Sequence, residues 1–144
     1  MNNLTEVQRR IKIAERHLME TQQAFKRDDW PETVHHAQLC VENSAKAIIS
    51  FFKIPSWSHD PGEELEASIT KIKIPKSLEI ELRNLVSYCH EMAPEHAKTN
   101  YGTITQLPEE LYTKSEARRA LKMAKDSLKT AKDFSKFWLK NRKT

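Results

Sequence analysis

The sequence predicts an all-α fold, an up-and-down four-helix bundle with a short additional helix. Three observations carry this expectation. Apolar residues recur every three or four positions along most of the chain. Gly occurs only twice in 144 residues while charged residues make up 31%, a balance that suits long amphipathic helices rather than a sheet or a glycine-rich phosphate loop. Capping-box spacings at Asn3–Glu6, Asp29–Glu32 and Thr113–Glu116 mark three helix starts. The length fits one domain, residues 1–144, able to form a core without disulfide staples.

The first helix begins after Asn3, and Leu4, Val7, Ile11, Ala14, Leu18 and Phe25 form its stripe, with Thr21 keeping the rhythm. The break at Arg27–Asp29 is short, so the next helix folds back antiparallel. That second helix, Asp29 to about Lys53, organises the chain. Val34, Ala37, Val41, Ala45, Ile48 and Phe52 supply its stripe, Pro31 sits where a missing N–H costs nothing, and Glu42 and Lys46 lie four apart inside the pattern. Pro55 closes it. A short helix follows from Glu63 to Ile72, and after Pro75 another from Lys76 to His90 or slightly beyond. Residues 91–112 are the least regular passage: Pro94 kinks or ends the helix, Asn100-Tyr101-Gly102 suggests a turn, and Tyr101, Leu107, Leu111 and Tyr112 are expected to anchor it. The last helix starts at Thr113 and runs through Ala117, Leu121, Ala124, Leu128, Ala131, Phe134 and Trp138. Its alanines imply a close approach to a neighbour.

The net charge of +4 is unevenly spread. Residues 113–144 hold 11 Lys and Arg against 3 Asp and Glu, hence +8, whereas the preceding 112 hold 13 against 17, hence −4. Within the last helix Arg118, Lys122, Lys125, Lys129 and Lys132 lead a basic row one step round from the apolar face. Three readings fit it: a solvated face, a nucleic-acid surface that tracks phosphates, or a surface for an acidic protein. Trp57, in a Pro- and Ser-rich connector, has three roles open to it: a cap on the bundle's end, a partner-binding contact, or a stacking platform. No apolar run approaches the roughly 20 residues of a membrane span, and the start lacks the apolar stretch of a signal peptide. A cytoplasmic protein without membrane contact is the expectation.

Chemistry is sparse. Cys40 and Cys89 fall within helices and suggest neither a disulfide framework nor a zinc site. His36 and Cys40 are four apart, but no carboxylate spacing completes a metal set, so no metal and no cofactor are expected. His35 and His36 read as polar-face residues, and His59 as a turn residue before the short helix. Arg83 and His90 are seven apart, two turns and about 10 Å along one helix. They converge only by leaning together or by meeting symmetry mates across an interface. An imidazole can move the proton of a 2′-hydroxyl and a guanidinium can stabilise phosphate charge, which is adequate for metal-independent RNA cleavage. From the spacing alone, ordinary surface or end-of-helix roles are the reading preferred.

Taken in order, these stretches resemble the HEPN family of prokaryotic helical domains. Residues 14–55 resemble its first helix, short turn and an Ala-Gln-x-x-x-Glu-x-x-x-Lys-Ala core, here Ala37, Gln38, Glu42, Lys46 and Ala47. SHDPGEEL resembles the family's loop with a histidine, placing His59 there, and residues 99–124 resemble its aromatic-glycine turn, Pro-x-x-x-Tyr segment and final helix. The resemblance spans nearly the whole chain. It implies a homodimeric bundle, a minimal nucleotidyltransferase as partner, and roles in RNA cleavage, toxin–antitoxin pairing or nucleotide-linked regulation. RNLVSYCH supplies the Arg, polar residue and His of ribonuclease members as Arg83, Asn84 and His90, with six residues between Arg and His, at the long end of the usual spacing. Noncatalytic relatives often carry an arginine directly before the aromatic-glycine turn, where this chain has Asn100.

Overall fold

The computed structural model describes residues 3–103 and 106–141. They form an all-α bundle: α1 (Asn3–Lys26), α2 (Trp30–Ile49), α3 (Gly62–Ile69), α4 (Lys76–Met92), α5 (Glu95–Tyr101), a single turn α6 (Pro108–Leu111), and α7 (Lys114–Asn141).

α2 is the centre. It packs most heavily on α1 and then on α7, and also touches α3, α4, α5 and α6. Every residue from Cys40 to Phe51 is buried, the mark of a helix enclosed by neighbours on all sides. Its start follows the sequence: the Asp29 side chain accepts from the Glu32 backbone N–H at 3.2 Å, with Pro31 in the first turn. Such a cap contributes about 1 kcal/mol. The turn from α1 is made by Asp28 at φ 59, a left-handed conformation that short polar side chains tolerate. α2 stops at Ile49 rather than near Lys53, because Phe51 and Phe52 bond the carbonyls three residues back and tighten the chain before Pro55.

Against α2 the alanines of α7 allow the expected close approach. Ala117, Ala120, Ala124 and Ala131 are buried, and the Cys40 thiol reaches the Ala124 carbonyl at 3.5 Å. Burial pushes that thiol up to about 12, consistent with a core cysteine. α7 begins on a reciprocal capping box: Thr113 Oγ1 accepts from the Glu116 N–H at 3.2 Å, and the Glu116 carboxylate accepts from the Thr113 N–H at 3.0 Å.

The structure departs from expectation mainly between α4 and α7. Four long helices and one short one undercount the elements, because Glu95–Tyr101 forms a further helix on α2. Pro94, which cannot donate the next i→i−4 bond of α4, stands at the N-cap of α5. Gly102 closes α5 at φ 74, and a Cβ there would run into the Gln106 carbonyl. Tyr112 is buried, its hydroxyl donating to Glu95 at 2.8 Å, and Leu111 is half-buried. Tyr101, expected as an anchor, is 83% exposed, and Leu107 is exposed too. α3 also ends earlier than expected, at Ile69, where Lys71 and Ile72 again bond three residues back. Among the described residues no helix is long and apolar enough to cross a membrane.

Candidate functional site

α4 turns Leu78, Leu82, Leu85, Val86, Cys89 and Met92 inward. The remaining face leaves Arg83, Asn84 and His90 exposed. Arg83 and His90 do not lean toward each other. Arg83 Nη1 donates to Glu66 Oε1 at 2.9 Å, and His90 Nδ1 lies 2.8 Å from Asp60 Oδ2. Both carboxylates come from α3 and the loop before it, so one antiparallel neighbour holds both candidate residues. Gly62 completes the contact: a Cβ built there would stand 2.8 Å from His90 Cε1 and 2.9 Å from Nε2.

A second constellation lies in α2. Gln38, Glu42 and Lys46, one turn apart in succession, form a buried polar chain. Gln38 Nε2 donates to Glu42 Oε1 at 2.9 Å, and Lys46 Nζ donates to Glu42 Oε2 at 3.2 Å. His59 Nδ1 stands 3.0 Å from Glu42 Oε1, and its ring stacks on His96 at 3.7 Å between centroids. His96 Nδ1 in turn meets Gln38 Oε1 at 3.2 Å. Burial opposes ionisation of Glu42, but the Lys46 charge and the donors from Gln38 and His59 outweigh it, leaving its pKa below the ordinary carboxylate value. His59 is therefore more than the turn residue its sequence position suggests: it closes a network joining α2, the 50–61 connector and α5.

This network opens on a cleft of about 530 Å³ whose walls include Arg9, Arg10, Lys46 and Trp57. Trp57 is 97% exposed and neighbouring Ile54 88% exposed. Trp57 therefore does not cap the end of the bundle. Phe51, Phe52, Phe134 and Trp138 cluster elsewhere around that junction.

The basic row of α7 is partly neutralised within the molecule. Lys122 pairs with Asp126 at 2.7 Å, Lys129 with Asp133 at 2.7 Å and Glu81 at 3.3 Å, and Lys132 with Glu15 at 2.9 Å. Arg118 and Lys125 are exposed. Arg142 and Lys143, part of the C-terminal charge excess, lie outside the described residues.

His35 and His36 differ from the polar-face reading. Both are half-buried, and His36 Nδ1 lies 3.0 Å from His17 Nδ1 across the α1–α2 contact, while His35 Nδ1 meets Thr99 Oγ1 at 3.1 Å. Among the described residues no group of three or more His, Cys, Asp or Glu side chains is placed to hold a metal ion.

Asp60, Gly62 and Glu66 are the site residues that sequence reasoning missed. The His-Asp-Pro-Gly string was a visible signal for a shaped loop. Nothing local says that its aspartate faces α4 while its histidine faces α2.

The fold and these sites define a class: an all-α domain with an exposed arginine–histidine pair on one helix and a buried Glu–Lys core in another. The chain belongs to the HEPN family, whose domain model matches residues 7–134. It is 31% identical over 131 residues to a Methanocaldococcus jannaschii protein called "Putative toxin MJ1304", covering 88% of this chain and 86% of that one. Its fold is similar to the crystal structure of TT1696 from Thermus thermophilus, with a TM-score of 0.65 at 20% identity over 92% of this chain and 98% of that one.

Proposed function

We propose that this protein is an RNA-associated HEPN module, a toxin–antitoxin component that acts with a nucleotidyltransferase-like partner. We further propose that it cleaves RNA without a metal through Arg83 and His90 across a homodimer groove, with Asn84 in support. The observation that carries the catalytic part is the 2.8 Å contact between His90 Nδ1 and Asp60, which commits one ring nitrogen to the protein and leaves the other for chemistry. His90 Nε2 takes the proton of a 2′-hydroxyl, and that oxygen bonds to phosphorus as the bond to the 5′-oxygen breaks. The 5′-oxygen takes a proton from water, leaving a 2′,3′-cyclic phosphate and a 5′-hydroxyl. Arg83 stabilises the phosphate oxygens after exchanging Glu66 for the substrate. An exposed pair of that kind contributes about 0–1 kcal/mol, so the exchange is cheap.

The toxin–antitoxin role is supported by the likeness to the archaeal protein. Partner docking is supported by the Trp57 and Ile54 rim, since exposed tryptophans beside arginines are favoured anchors of protein interfaces. Nucleic-acid binding along Arg118, Lys122, Lys125, Lys129 and Lys132 is the weaker reading, because three of the five already hold carboxylates.

The test is cleavage of a mixed RNA pool in EDTA by the purified chain, beside an Arg83→Ala/His90→Ala variant of unchanged circular dichroism. Cleavage by the parent alone, with a loss of about 100-fold or more in the variant, is expected. Equal cleavage by both would place the chemistry elsewhere. Silence of the parent at all pH values from about 6 to 9 would remove the catalytic reading and leave the interaction module.

A further inference from the structure

The geometry points to Asp60 and Gly62 as positioning residues for His90: the carboxylate fixes which ring nitrogen carries the proton, and the glycine keeps the other approachable. This inference rests on the catalytic reading above for its consequence, but its structural content stands on separate contacts.

A carboxylate only accepts hydrogen bonds. With Asp60 Oδ2 2.8 Å from His90 Nδ1, a neutral His90 carries its proton on Nδ1 and presents Nε2 as an open lone pair. That is the form required of a base. The carboxylate is itself held. Its other oxygen, Oδ1, accepts from the Gly62 backbone N–H at 3.1 Å. Ser58 Oγ accepts from the Asp60 N–H at 3.0 Å and donates to the Asp60 carbonyl at 3.1 Å. The loop is thus bracketed on both sides of the carboxylate.

Its neighbour points the opposite way, with His59 tied to the buried Glu42 of α2. Consecutive residues therefore reach two different helices, and rotation of Asp60 away from α4 would pull on both. Gly62 lies against the Cε1–Nε2 edge of the ring, where a Cβ would also come within 3.1 Å of Asp60 Oδ1. A Cβ there would stand 2.9 Å from Nε2, in the ground a substrate hydroxyl needs. Any side chain at position 62 pushes the imidazole off Asp60 or covers the nitrogen that has to act.

Asp60→Asn separates this role from a merely structural one. Gly62 N–H still needs an acceptor, so the amide oxygen stays with Gly62 and the amide NH₂ turns to His90. The amide then donates to Nδ1 and drives the ring proton to Nε2, the wrong tautomer for a base.

The experiment uses the full chain labelled with ¹⁵N-histidine, with long-range ¹H–¹⁵N spectra recorded where His90 is neutral and assigned by a His90→Gln control. The parent is expected to show the Nδ1–H form and Asp60→Asn the Nε2–H form, with thermal melting unchanged. RNA cleavage by Asp60→Asn should fall by at least about 100-fold through kcat, with RNA affinity preserved. Gly62→Ala should cleave at least about 10-fold less, and parental cleavage by it would overturn the role given to Gly62. An Nε2–H parent, an unchanged tautomer in Asp60→Asn, or parental cleavage by a tautomer-switched variant would overturn the assignment. A parent that cleaves no RNA removes the catalytic reading alone, and the tautomer spectra still decide what Asp60 does.

Discussion

Among single residues, the informative ones are polar groups placed where the apolar pattern leads one to expect carbon. Glu42 and Lys46 are only 8% and 5% exposed at the side chain, in the most enclosed stretch of the protein. Removing one partner of such a pair commonly costs about 3–5 kcal/mol, because the other charge is left buried and alone. The pair was visible in the sequence as a four-residue spacing. Its further partner besides Gln38, His59, comes from 17 positions away and was not. His17 and His36 show the same limit and carry a prediction. Burial first, and the neighbouring His36 second, lower the His17 pKa from 6.5 to about 4; the same two causes lower that of His35. Between those values the unfolded chain binds a proton that the folded chain refuses, so this contribution is complete above pH 6.5 and declines as pH falls toward 4. Solvent screening at half-buried rings holds it to on the order of 1 kcal/mol. Melting temperatures measured across that range should fall more steeply for the parent than for His17→Leu. Parallel curves would mean that the ring pair does not govern the acid limb.

At the level of elements, the starts of α2 and α7 were legible because they are written locally. The Asn3–Glu6 spacing makes no such box: α1 already includes Asn3, and the Glu6 carboxylate accepts from Arg9 and Arg10. Asp29–Glu32 and Thr113–Glu116 are three apart, and the same two residues make the hydrogen bonds found. Helix ends were less legible, since α2 and α3 close by tightening to bonds three residues back before a proline. α5 was missed because its seven residues hold little of a stripe; it is fixed by docking on α2 through Thr99 and His96, and by Glu95, which accepts from the Tyr112 hydroxyl. The lysine row of α7 reads as continuous in sequence, yet carboxylates of α1, α4 and α7 itself divide it. Each phosphate neutralised on a single strand contributes about 0.7 to the slope of log affinity against log salt. Neutralising Arg118 and Lys125 together should therefore remove more of that slope than neutralising Lys122 and Lys129, as read by RNA titration at several salt concentrations. The opposite ranking would show that RNA strips the internal pairs and uses the whole row.

On the scale of the whole molecule, the bundle was readable because an amphipathic stripe constrains the fold wherever it occurs. Which exposed faces meet was not readable, because Arg83 and His90 occupy the same helix whether or not they cooperate. Seven residues of helix separate them by about 10 Å, whereas a transferring phosphate needs its base and its guanidinium within about 3 Å of their targets. Each is also held by its own carboxylate, so a working pair within one protomer would require both to abandon Asp60 and Glu66 and lean together. A two-fold axis between antiparallel α4 helices would meet the distance differently, bringing Arg83 of one protomer toward His90 of its partner and generating two equivalent sites. Mixing the two single variants tests this. After subunit exchange, Arg83→Ala with His90→Ala gives mixed dimers in which one composite site keeps both intact residues and the other keeps neither. Half of the dimers are mixed and each carries one site of two, so about a quarter of parental cleavage should return from two inactive proteins. A pair that works within one protomer leaves every site damaged and the mixture silent. Recovery near a quarter would establish the site as shared between protomers, and silence despite demonstrated subunit exchange would return it to a single chain.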